Sequence, residues 1–185
     1  WPWRGAFDRI YAAHHDAVKG AFETDGALTR LHAFVDAPEA GTNTLLVGGG
    51  RKGKQGRIDL SALPEAKRWL VTFSRRTPEA VKAQIRAAWP QAEIYDPAQG
   101  GTNPYRDFLQ RGETIFVTDD SVSMLSDAAS SGRKVRIVPF LRPKGRLAAF
   151  HAHLRSLGAV DSDLPVALKD ADKVAGDIAV TFLTR

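Results

Sequence analysis

Four short segments of the chain carry residue types and spacings that suit chemistry. The first is Gly48-Gly49-Gly50-Arg51-Lys52-Gly53-Lys54-Gln55. Three glycines directly after a β-rich run let backbone N–H groups approach an anion closely. The window also spells G-x-x-x-x-G-K, the opening of a phosphate-cradling P-loop. Gln55 stands where Ser or Thr should hold Mg²⁺, and Gly56 suits the first turn of the required helix poorly. Two plainer readings compete with a P-loop nucleotidase centred on Lys54: a phosphate-facing glycine turn of another kind, and an exposed basic loop.

The second segment is Thr118-Asp119-Asp120-Ser121-Val122-Ser123, with Asp127 one turn further on. A strand ending at Val117 and a helix opening at Ser121 point the free first-turn N–H groups of Ser121, Val122 and Ser123 at the strand's C-terminal end, where an anion is stabilised. Ser123 and Asp127, spaced i, i+4, share a face. Asp127 is too far along to meet the anion, but it suits hydrogen bonds from sugar hydroxyls. The plain alternative is a helix capped by Asp120 and Ser121 with a solvated Asp127. Asp119-Asp120 as a metal pair is a weaker reading.

Ser74-Arg75-Arg76-Thr77 lies at another strand end, where a guanidinium can grip a diphosphate bidentately. Asn103-Pro104-Tyr105 is a turn leading into a helix. The pairs His14-His15 and His151/His153 have neither the mutual geometry nor the third ligand that a metal needs. Cysteine is absent, which removes disulfides, thiolate metal sites and a Cys nucleophile. No cofactor is called for by any motif.

The elements that must position these segments alternate in type. Thr44–Val47, Trp69–Phe73, Ala92–Tyr95, Thr114–Val117 and Val135–Pro139 predict strands, and their near-continuous hydrophobicity suits buried parallel strands. Thr77-Pro78-Glu79 carries helix-start signals, and Val81, Ile85, Ala88 and Trp89 then form one stripe. Further helices are predicted from Ser121 to Gly132, over Leu147–Leu157, and over Asp170–Phe182 with the stripe Ala171, Val174, Ala175, Ile178 and Phe182. Phe7–Ala13 has strand character, and Leu28–Val35 is a short apolar stretch. Strand–helix alternation from about Thr42 implies right-handed crossovers and an open parallel sheet that binds ligands beyond its C-terminal strand ends.

The 185 residues are enough for one self-sufficient core. A chain 43% hydrophobic and 25% charged is not disordered, collagenous or coiled coil. Net charge is +5, and Arg51, Lys52, Lys54 and Arg57 supply most of the excess. A local phosphate site therefore fits better than a nucleic-acid-coating surface. No apolar run is long enough to span a bilayer and no signal-peptide pattern opens the chain, so a cytoplasmic location is expected. The opening Trp1-Pro2-Trp3, without Met, predicts a processed product or a fragment.

Taken in order, Thr44–Gly50, VTFSRRTPEAV at Val71–Val81, TNPYRDFL at Thr102–Leu109, IFVTDDSVSMLSDAASSGRKVRIVPF at Ile115–Phe140 and FHAHLRSLGAV at Phe150–Val160 resemble the mitochondrial-fission ELM family and its bacterial relatives. AAHHDAVKG and DGALTRL resemble that family's last N-domain strand and the link after it. The resemblance implies an α/β fold, a Rossmann-like three-layer parallel sheet with helices on both faces, as the C-terminal domain of a GT-B-type architecture. Residues 1–40 would be the tail of an N-terminal domain or a linker, and 41–185 the nucleotide-sugar-binding domain. It implies a glycosyltransferase-like donor half whose diphosphate lies against Gly48, Gly49, Gly50, Arg51, Ser74, Arg75, Asn103, Thr118, Ser121, Val122 and Ser123. Asp127 stands where similar transferases place a ribose-holding Glu, one methylene longer. The expected partner is a nucleotide-sugar or nucleoside diphosphate, with homo-oligomerisation left open. The family name also allows a non-catalytic protein-interaction module.

Overall fold

The structure, a computed structural model, describes residues 9–50 and 56–183. Five strands form one parallel sheet: β3 (Thr42–Val47), β4 (Arg68–Phe73), β5 (Glu93–Tyr95), β6 (Thr114–Thr118) and β7 (Lys134–Val138), in the order β5-β4-β3-β6-β7. Two short strands before them, β1 (Tyr11–Ala13) and β2 (Phe22–Thr24), pair in parallel with each other. The helices are α1 (Glu79–Ala88), α2 (Tyr105–Arg111), α3 (Val122–Ser130), α4 (Arg146–Ser156) and α5 (Asp170–Ile178), the last running into a π-helical turn, Ala179–Leu183.

The predicted strands are present with ends shifted by one or two residues. Their hydrophobicity is continuous because both sheet faces are covered. Leu46, Ile115, Val117 and Val135 pack on one face against α2, α3 and α4 through Leu109, Leu125, Phe150 and Leu154. Leu45, Val47, Val71, Phe73 and Phe116 pack on the other, where Val81 and Ile85 of α1 meet them. The sequence expectation of a Rossmann-like, three-layer α/β fold therefore holds. Burying Phe73, Phe108 and Phe150 essentially completely stabilises the fold by about 1.5–3 kcal/mol each.

Two helical stripes differ from the periodicity reading. In α1, Ala88 is exposed and Lys82 is buried. The Lys82 ammonium reaches Asp96 just beyond β5 at 3.0 Å and Glu79 at 2.7 Å. Trp89 ends the helix by stacking on Trp69, with ring centroids 4.3 Å apart. In α5, Ala175 and Ile178 face solvent. That helix docks instead through its acids: Asp177 accepts from Arg9 and Tyr11, and the buried Asp170 accepts the Asp25 and Gly26 N–H groups at 2.9 and 2.8 Å.

Those bonds belong to a seam along residues 9–36. His14 stacks on His153 of α4 at 4.1 Å, and Asp25 pairs with His153 and Lys173. The Ala27 N–H donates to Ser126 of α3 at 2.8 Å, and the Phe34 N–H donates to the Ser131 carbonyl. The Leu28–Val35 stretch follows α3 without strand or helix of its own.

Candidate functional site

Parallel register sets the geometry of the C-terminal edge. Val47 lies opposite Phe73, and Thr118 opposite Val138, so Gly48, Ser74, Asp119 and Pro139 emerge along one rim. The strand order reverses direction between β3 and β6, the two strands followed by the glycine turn and by α3. Open α/β sheets form their ligand crevice at such a reversal, because the two flanking connections leave on opposite faces.

Hydrogen bonds tie the three strand ends together. The Gly48 N–H donates to Thr118 Oγ1 at 2.8 Å, and Thr118 Oγ1 donates to Asp120 at 2.6 Å. The Gly50 N–H donates to the other Asp120 oxygen at 2.7 Å. From the opposite side Thr77 Oγ1 lies 3.0 Å from both the Val47 and Gly48 carbonyls, and the Ser74 N–H donates to it at 2.9 Å. Close approach explains two of the glycines. A Cβ on Gly48 would overlap the Asp120 carboxylate, and one on Gly49 would overlap the Arg76 side chain.

The glycine turn and the α3 start are thus neighbours, bridged by Asp120. That carboxylate sits where a glycine turn would offer its amides to an anion, and it already holds the Gly50 N–H. Ser121 caps α3 by accepting the Met124 N–H at 3.4 Å. Val122 is half-buried, and Ser123 is exposed at the opening turn. Ser74 is half-buried and Arg75 exposed on the β4 side of the same rim. Arg51, with Lys54 and Gln55, lies outside the described residues. Over residues 56–67 the chain forms only the 3-10 turn Leu60–Ala62, so the helix that a P-loop places directly after its lysine is absent from that stretch.

Asp127 is tied to α2 rather than to the glycine turn. It accepts the Tyr105 hydroxyl at 3.0 Å. Burial raises its pKa above the ordinary 3.8, against the opposing pull of the Thr29 and Tyr105 hydroxyls. Burial, reinforced by the Asp127 charge, lifts the Tyr105 phenol well above its ordinary value. Asn103 is exposed, and its side chain accepts the Tyr105 N–H at 3.0 Å, which starts α2. Asn103 thus reaches Asp127 only through Tyr105.

Asp119 is engaged by the segment after β7. Both of its oxygens accept backbone N–H groups, from Leu141 at 2.7 Å and from Arg142 at 2.9 Å. Among the described residues no group of three His, Cys, Asp or Glu is arranged to hold a metal ion. His151 is buried, with its Nε2 unpaired and its pKa lowered by that burial.

Sequence reasoning missed three participants. Capping, the plain alternative for Asp120, gives no sign that it bridges to Gly50, 70 residues earlier. Thr77 was read as a helix start, yet it holds the β3 end. Tyr105 was part of a turn, yet it is the partner of Asp127. The residues flanking each were singled out; the pairings depend on strand order, which no local pattern encodes.

The described residues include no helix long and apolar enough to cross a membrane. The family model for mitochondrial fission ELM1 matches residues 2–181. A protein of Rickettsia prowazekii described as uncharacterised is 43% identical over 72 residues, 37% of this chain and 20% of that protein. The Arabidopsis thaliana mitochondrial fission protein ELM1 is 34% identical over 93 residues, 50% of this chain and 22% of that protein. The aligned stretches thus span about a fifth of each relative. Among solved structures, the FMN-dependent cysteine decarboxylase TvaF of thioviridamide biosynthesis aligns with a TM-score of 0.44 at 14% identity, over 75% of this chain and 95% of that one. With the family model matched along nearly its whole length, the chain belongs to the mitochondrial fission ELM1 family.

Proposed function

We propose that the crevice between the glycine turn and the α3 start binds a nucleoside diphosphate, as the donor half of a GT-B glycosyltransferase-like protein. The observation that carries this reading is the reversal of strand order between β3 and β6, with Gly48–Gly50 and Ser121–Ser123 on its two sides. In this arrangement the first-turn N–H groups of α3 and the Arg75 guanidinium stabilise the diphosphate, and Asp127, with Tyr105, meets the sugar hydroxyls. Positioning and electrostatics supply the effect on a leaving diphosphate. A general base would come from the acceptor side. Residues 1–40 are then the link from a preceding domain, and 41–185 the donor domain.

One observation favours a second reading. The Asp120 carboxylate lies at the glycine turn and repels any phosphate that approaches it. Among the described residues no cation pairs with this acid, an arrangement suited to a non-catalytic, protein-binding role within the fission family.

Calorimetric titration with UDP, GDP and their sugar conjugates separates the two. The donor reading expects binding of one nucleotide class, loss of binding in Asp127→Ala, and at least threefold tighter binding in Asp120→Asn, which removes the like charge while keeping the Gly50 acceptor. Absence of binding to the whole panel in both the native chain and Asp120→Asn leaves the interaction reading standing.

A further inference from the structure

On the sheet face packed by α1, the described residues cover the strands unevenly. α1 covers β4 and β3 through Val81 and Ile85. The β3-to-β4 connection would ordinarily place a helix beside it, but over residues 56–67 it has only the Leu60–Ala62 turn. A cavity of about 1110 Å³ remains over β6 and β7. That is the size of a site for a drug-sized molecule, whose pockets run about 300–1,000 Å³. Its lining includes none of the residues assigned above to the nucleotide, and it meets the C-terminal rim only at Pro139.

Its surface is apolar with one sign of charge left unbalanced. Ile58, Phe116, Val138 and Phe140 form the buried lining, and Leu63 closes one side. Arg57, Arg136 and Arg142 contribute three guanidinium groups. Of the two acids, Asp161 is paired with the Arg155 guanidinium at 2.7 Å and accepts the Ile137 N–H at 2.9 Å, while Asp59 keeps its charge and accepts from the Ser61 backbone and hydroxyl of its own turn, so the arginines remain in excess. Arg136 pairs with Asp163. The Arg57 and Arg142 guanidinium groups have no carboxylate partner among the described residues.

Arg142 is also held in a costly conformation. Its φ is +50°, in the left-handed region that a residue with a side chain rarely adopts. The buried Asp119 fixes it there by taking the Leu141 and Arg142 N–H groups. Strain of this kind persists where the surroundings over-determine it, and it clusters at ligand sites.

We infer that this cavity binds an amphiphilic oxyanion: an apolar body in contact with Phe116, Val138 and Phe140, ending in one carboxylate or phosphate held by Arg57 and Arg142. Guanidinium pairs match both head groups bidentately. The inference stands apart from the nucleotide reading, and neither depends on the other.

Calorimetry of the full chain with octyl phosphate, octanoate and 1-octanol, each below its micelle concentration, tests it. At least one of the two anions binds tenfold or more tightly than octanol, and which one leads names the head group. Arg142→Gln brings that anion within about threefold of octanol without weakening octanol. Ala62→Trp, an exposed lining position that fills the cavity, removes binding of all three while the melting temperature stays unchanged. Parity between the anions and octanol, heats indistinguishable from dilution, or anion binding that survives Ala62→Trp overturns the inference. Arg142→Gln decides the matter alone if the Trp variant melts early.

Discussion

Asp127 and Asp120 lie seven positions apart and have opposite environments. Asp120 accepts two donors at the rim. Asp127 is half-buried, and burial disfavours its ionised form more than the Thr29 and Tyr105 hydroxyls favour it. Its folded pKa is raised, so its contribution to stability is fully present below the ordinary 3.8 and is lost as pH rises through the folded value. At pH 7 the charge is therefore a cost. Asp127→Asn, which still accepts the Tyr105 hydroxyl, is expected to melt about 2 °C above the native chain at pH 7. The gap should close by pH 3, where both side chains are neutral. A melting series across that range measures it, and a gap of constant size would falsify the burial argument. Asp127 was visible in the sequence from its i, i+4 spacing with Ser123. Its protonation behaviour was not, because its burial and its Thr29 and Tyr105 partners arise only when distant segments pack around it.

At the scale of elements, the seam along residues 9–36 is held by placed acceptors as well as by Leu31 and Phe34 against the core. Asp170 is the clearest case: a buried carboxylate at the start of α5 that takes two consecutive N–H groups from a turn more than 140 residues away in sequence. Asp170→Ala leaves both donors without an acceptor and should cost about 1–3 kcal/mol in urea unfolding. Asp170→Asn, which keeps one good acceptor, should cost less than half as much. Equal losses in the two variants would show that the position matters for packing rather than for the bonds. The same mechanism explains the misread stripe of α5. Periodicity counted its apolar residues, but Asp177 and Asp170 determine which side docks. In α1 the departure is similar, since Asp96 draws Lys82 inward while Ala88 of the predicted stripe faces solvent.

Across the whole molecule, protection should follow the sheet. β3 and β6 are central, covered on both faces and paired on both sides. Their amides should exchange with deuterium only through global unfolding, whereas β1, β2 and the edge strand β5 should exchange through local opening. Amides of β3 exchanging as early as those of β2 would contradict the layered core. The parallel sheet, the five strand segments and the helix starts were legible in the sequence because each rests on short-range physics: continuous apolar runs, caps, and proline or glycine at fixed offsets. The glycine turn and the α3 start were likewise marked by their own residues. Nothing local, however, states that β3 lies beside β6, that Asp120 faces Gly50, or that a cavity lined with arginine lies over β6 and β7. Those facts arise when non-local strand pairing brings distant residues within hydrogen-bond reach. The amino-acid order settled which segments carry polar and apolar groups; the folded arrangement alone decided which of those groups neutralise one another and which stay open to a ligand.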